Sequence, residues 1–127
     1  MGLENGIILE MNTKIKYQPW FCSLELDKYD EKNNFYQYLV DFWCSGYELR
    51  MKIFEALHIS SEGGGEFVLG YEDILRIINV IKNEIKYNGD FEDKCFFWHT
   101  IDNLYWVYEY MIKWPQDIIR CYFYDSY

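Results

Sequence analysis

The sequence predicts an α+β fold: an antiparallel sheet, formed by an N-terminal hairpin and a C-terminal strand, with three to four helices packed on one face. Three observations predict it. Apolar residues alternate near both ends of the chain, at Ile7, Leu9, Met11, Ile15 and Tyr17 and again at Ile119, Cys121 and Phe123, which is the period of a half-buried strand. Between them, Ile74, Ile78, Ile81 and Ile85 keep the spacing of one helical face. Turn-forming residues punctuate these runs at Pro19, Gly63-Gly64-Gly65, Asn88-Gly89 and Pro115.

In chain order, Gly6–Tyr17 reads as the first strand and Trp20–Leu26 as its antiparallel partner, with Pro19 in the turn. Asp27–Asn34 is a polar connector. Phe35, Leu39, Phe42 and Trp43 then fall on a helical stripe and predict the first helix. Tyr47, Arg50, Met51, Phe54, Leu57 and His58 extend a second helical face beyond Gly46. The triple glycine is a loop, followed by a short strand over Phe67–Leu69. Tyr71–Lys86 is the clearest helix, with Glu72 and Asp73 in the first turn and Lys82 and Lys86 toward the end, each suiting the helix dipole. Asn88-Gly89 stops it. Thr100 is placed to cap a further helix with Leu104, Val107, Tyr108, Met111 and Ile112 inward, which Pro115 terminates.

The length, 127 residues, predicts a single domain over 1–127. Its formal charge of −9 opposes duplex DNA and anionic membrane, so no direct DNA or membrane partner is expected. No signal-type segment or long apolar run is seen, and a cytoplasmic location is expected. Aromatic residues make up 21% of the chain, more than a small core hides, which predicts a homo-oligomer anchored by Trp20, Trp43, Trp98, Trp106 or Trp114. Cys22, Cys44, Cys95 and Cys121 are widely spaced without a CxxC pair and read as free thiols.

Cys95 and His99 have the spacing of two metal ligands, to which Cys121 would add a third, or of a thiol and its base with Asp102 as orienter. Neither set is complete, so no metal, no cofactor and no catalytic residue is expected. The triple glycine lacks the lysine and hydroxyl of a phosphate loop and is flanked by Glu62 and Glu66. Acidic side chains cluster at Asp27, Asp30 and Glu31 and at Asp90, Glu92 and Asp93, surfaces suited to a basic partner. The candidate ligand-binding site is the helix carrying Tyr47, Arg50, Lys52, Phe54 and His58. There an arginine fork binds phosphate and an aromatic ring stacks a base.

The segment Tyr47-Glu48-Leu49-Arg50-Met51-Lys52-Ile53-Phe54-Glu55-Ala56-Leu57-His58 resembles the signature helix, roughly Tyr-Trp-Arg-Lys-Ala-Asn-Ala-Ile-His, of a group of small, largely uncharacterised phage and prophage proteins. Aligned on His58, Lys52 takes the Arg position and Ala56 the Ala position, while Met51, Ile53 and Glu55 depart from Trp, Lys and Asn. The order that follows is also similar: Glu66-Phe67, the helix Tyr71–Lys86, the helix Ile101–Ile112 and the aromatic end Tyr122–Tyr127. The resemblance implies a phage accessory protein of the anti-defence type. Two functions result. One is non-catalytic sequestration of a small nucleotide-like host immune signal at the site above. The alternative is an acidic mimic of nucleic acid that inhibits a basic host protein, in the manner of anti-CRISPR or toxin-immunity proteins. An enzyme is not expected.

Overall fold

The computed structural model describes residues 4–16, 18–19, 22, 24–44, 47–59, 64–87 and 91–126. Its fold is α+β, with five strands and three α-helices among those residues. The strands are β1 (Glu4–Met11), β2 (Glu25–Asp30), β3 (Phe35–Cys44), β4 (Gly65–Val68) and β5 (Ile118–Ser126), and the helices are α1 (Tyr47–Ala56), α2 (Tyr71–Tyr87) and α3 (Phe91–Lys113). The sheet runs β2-β3-β1-β5-β4 with every neighbouring pair antiparallel.

Strand alternation sets the two faces. Ile7 pairs Phe123 and Leu9 pairs both Cys121 and Tyr38, and all of these side chains are buried in the core. Ile53 and Phe54 of α1, Ile74, Ile77, Ile78 and Ile81 of α2, and Ile101, Leu104 and Val107 of α3 complete that core. Each such aliphatic side chain contributes about 1.5–3 kcal/mol relative to exposure. On the opposite face Gly6, Ile8 and Glu10 stand across from Tyr124, Tyr122 and Arg120. There Glu10 accepts from Arg120 Nε at 2.5 Å, and the guanidinium lies 4.1 Å from the centre of the Tyr122 ring.

Several expectations need correction. The predicted first helix over Phe35–Trp43 is the strand β3. The helical stripe is a coincidence of spacing in a run of Phe, Tyr, Leu, Val and Trp, residues that fit a pleated surface, and pairing on both edges decides the matter. Three helices stand among the described residues, within the three to four expected. An N-terminal hairpin does form, but from β2 and β3 across a 3-10 turn at Glu31–Asn33, whereas β1 lies between β3 and β5. Of the Trp20–Leu26 segment predicted to pair with β1, only Glu25 and Leu26 are in a strand. Finally, α3 starts at Phe91, well before Thr100, so Thr100 is no cap; its hydroxyl donates to Asp41 of β3, while Asn103 Nδ2 donates to Val40 O at 3.0 Å. Val40 is the extra residue of a bulge where Ile7 pairs Asp41 and Ile8 pairs Leu39, and α3 supplies the partner that the interrupted ladder leaves wanting. Ile112, expected inside, is half exposed.

α2 begins as its acidic first turn predicts: Gly70 N–H donates back to Asp73 Oδ2 at 2.8 Å, and Asp73 also holds Arg76 at 2.7 Å. The stop expected at Asn88-Gly89 lies outside the described residues. So do Gly63 and the triple glycine's approach, but Gly64 and Gly65 adopt φ of 68° and 146°, conformations that favour glycine at the entry to β4.

Candidate functional site

The helix expected to bind ligand is present as α1, and of its five candidate residues the side chains of Lys52, Phe54 and His58 are described. Tyr47 and Arg50 lie on α1 with side chains outside the described residues. Phe54 is buried, its ring edge-on to Phe67 at 5.7 Å and to Phe123 at 5.9 Å, so it belongs to the core. His58 terminates the helix. Its φ is 56°, its N–H donates to Glu55 O at 3.1 Å, and Ile59 N–H donates to Phe54 O at 2.9 Å, which is the paired closure of a Schellman cap with histidine where glycine is usual. Lys52 is half-buried.

The aromatic and basic character expected of the site is found elsewhere. After β1 the chain turns at Asn12, whose N–H donates to Asp117 O at 3.0 Å and whose side-chain amide donates to Gln116 O at 2.7 Å. Ile15 packs on the core and its N–H donates to the Tyr38 hydroxyl at 2.9 Å. Gln18 then brackets Leu24 with two side-chain hydrogen bonds of 2.9 and 3.1 Å, and Cys22 Sγ donates to Asp102 O at 3.8 Å. Tied near residue 117 at one end and near 102 at the other, this segment runs antiparallel to the C-terminal half of α3.

Between segment and helix lies a groove of about 630 Å³. Its helical wall is a ladder of rings four residues apart: Trp106 to Tyr110 at 5.1 Å between centres, Tyr110 to Trp114 at 4.9 Å. Pro115 ends α3 and starts the 3-10 turn Pro115–Asp117, which holds Trp114 at the rim, 45% exposed. Lys14 and Lys16 line the groove from the segment and Lys113 from the helix, its Nζ 6.0 Å from the centre of the Trp114 ring. Glu109 and Asp117 are the acidic members, and the Tyr110 hydroxyl donates to Asp117 Oδ2 at 3.1 Å. Burial first, then that carboxylate, pushes the Tyr110 phenol up to about 12, so it stays a donor at neutral pH. Lys52, Phe54 and His58 do not line this groove. The spacing of Trp106, Tyr110 and Trp114 was present in the sequence, but nothing in one dimension placed Lys14 and Lys16 opposite it.

Of the metal and nucleophile candidates, Cys121, His99 and Asp102 have described side chains. Cys121 is sealed in the core between strands, where burial pushes its thiol up to about 12, while His99 is exposed on α3. Burial, with Asp102 nearby, pushes the Cys22 thiol up to about 11. The Cys95 side chain lies outside the described residues. Among the described residues no group of three or more His, Cys, Asp or Glu side chains is placed to hold a metal ion. No helix among them is long and apolar enough to cross a membrane. Of the acidic clusters, β2 is exposed along its whole length; Asp27 accepts from Gln37 at 2.9 Å, and Asp30 caps the turn through Asn33. Asp90 and the side chains of Glu92 and Asp93 lie outside the described residues. Comparison with protein-family models, curated proteins and solved structures finds no match for this chain.

Proposed function

We propose that the chain is a non-catalytic binding protein that captures a small nucleotide-like ligand in the groove between α3 and the segment after β1. The setting is the one implied by the phage resemblance: an anti-defence accessory protein withdrawing a host immune signal in the bacterial cytoplasm. One observation carries the reading, the ring ladder Trp106–Tyr110–Trp114 facing Lys14, Lys16 and Lys113 in a chain of net charge −9. Stacking a base on an aromatic face is worth about 1–3 kcal/mol, and the ammonium groups supply charge-assisted bonds to phosphate. Half-exposed Ile112 and Ile119 add apolar surface for a homo-oligomer, which light scattering would detect.

The test is calorimetry against mono-, di- and cyclic nucleotides, with mass spectrometry of small molecules released from the denatured protein. Trp114→Ala should weaken nucleotide binding roughly 5- to 150-fold with little change in melting temperature. A well-folded wild type that binds no nucleotide and releases none refutes the proposal. The second reading, an acidic inhibitor of a basic protein, is favoured by β2, an exposed edge strand bearing Glu25, Asp27 and Asp30 with Glu31 beside it. Reversing those four charges to Lys should abolish inhibition under that reading and leave nucleotide binding intact.

A further inference from the structure

Resting on the groove as a nucleotide site, we infer that its ligand carries two bases and two phosphates, a dinucleotide-sized anion rather than a mononucleotide or a long strand. The helical wall is the first reason. Trp106 and Trp114 stand eight residues apart, about 12 Å along the helix axis, with Tyr110 filling the interval. A single base covers part of such a wall; two bases in succession cover it, each against an aromatic neighbour.

The facing segment is matched to that length. Ile15 turns toward the core, and its N–H is fixed by the Tyr38 hydroxyl, so Lys14 and Lys16 on either side share the outward direction. A two-residue step of extended chain spans about 6–7 Å between Cα atoms, which sets the scale of their separation. Two ammonium groups so spaced address two successive phosphates. The bonds from Asn12 to Gln116 and Asp117 hold these lysines in register along the ladder. Lys113 closes the Trp114 end.

The upper limit on length comes from charge. Glu109 and Asp117 stand in the groove itself, and the chain as a whole is at −9. A short anion meets three lysines against two carboxylates, whereas a longer strand must continue over a surface whose net field opposes each added phosphate.

Adenine probes separate the elements. ADP has one base and two phosphates, ApA two bases and one phosphate, and pApA and cyclic di-AMP two of each in linear and closed form; an octa-adenylate is the long strand. In calorimetry on the full chain, pApA or cyclic di-AMP should bind at least tenfold more tightly than ADP and than ApA, and the better of the two identifies the linear or cyclic source. Trp114→Ala should erase most of the advantage over ADP, and Lys14→Gln with Lys16→Gln most of the advantage over ApA. Equal binding of ADP and pApA overturns the two-base inference and leaves the nucleotide site standing. Equal binding of ApA and pApA overturns the two-phosphate part. Tighter binding of the octa-adenylate overturns the length limit, and failure of all the probes to bind removes the underlying reading as well. The wild-type ranking decides these outcomes even if a variant fails to fold.

Discussion

Replacing Gly6 with alanine probes how the helix-free face of the sheet is packed. Gly6 lies across from Tyr124 in the β1–β5 ladder, and a Cβ added there meets the tyrosine ring, with Cζ at 2.7 Å and the hydroxyl oxygen at 2.8 Å. Comfortable carbon contacts need about 3.5–4.0 Å, so the ring must leave the strand it covers. Overpacking of this kind costs about 1–3 kcal/mol. Against it stands the reduced unfolded-state freedom of alanine, a gain of about 0.5–1 kcal/mol, since Gly6 does not hold a positive φ. The net expectation is a loss of about 0.5–2 kcal/mol. In a Tyr124→Ala background the obstruction is gone, and the same substitution should stabilise by about 0.5–1 kcal/mol. Urea denaturation of the four proteins of this cycle measures the coupling, expected at about 1–3 kcal/mol. Effects that add to within about 0.5 kcal/mol would show that Tyr124 does not lie over Gly6 and would refute the reasoning.

Three further outcomes are expected. Arg120→Met leaves the largely buried Glu10 carboxylate without its guanidinium and should cost about 1–3 kcal/mol in urea titration, much of it restored by adding Glu10→Gln; no loss would mean the pair is not formed. Phe54→Ala should cost about 3–5 kcal/mol through cavity formation, whereas His58→Gly should gain about 0.5–1 kcal/mol by relieving the left-handed conformation, and neither change should alter nucleotide affinity in folded protein. The thiols of Cys22 and Cys121 and the phenol of Tyr110 are all raised above their ordinary values, so the folded state holds their protons longer than the unfolded one. The stability this represents is intact below about pH 9 and is lost as pH climbs toward 12; a thermal midpoint falling across that window, with residue-by-residue alkylation showing both thiols protected at pH 8, checks it.

What could be read from the sequence divides by the range of the interactions. α2 was legible because its face, its acidic first turn and its basic end are local and agree, and the structure keeps Ile74, Ile78 and Ile81 fully buried. β1 and β5 were legible from their local alternation, although β1 ends at Met11 rather than at the expected Tyr17. β3 was misread because Phe35, Leu39, Phe42 and Trp43 satisfy a helical period by chance, and only the two ladders with β1 and β2 reveal the strand. Two of the candidate residues on α1 have roles that the sequence did not show. The α1 stripe ignored that Phe54 is needed by Phe67 and Phe123 and that His58 is a cap, both of them tertiary or terminal facts. The groove, by contrast, joins residues about a hundred positions apart through the hydrogen bonds of Asn12.

The groove's position on α3 also determines what kind of affinity it can generate. It lies at the C-terminal end of the helix, where the dipole carries partial negative charge, and it includes Glu109 and Asp117. Lys14, Lys16 and Lys113 therefore offset an unfavourable local field before they contribute net attraction for phosphate. Asp117 is partly engaged by the Tyr110 hydroxyl, which lowers its repulsion and at the same time fixes the middle ring of the ladder. Under the proposed function, charge here admits an anion while the three rings hold it. Salt should accordingly weaken binding less than loss of Trp114 does, the reverse of a site built on phosphate contacts alone.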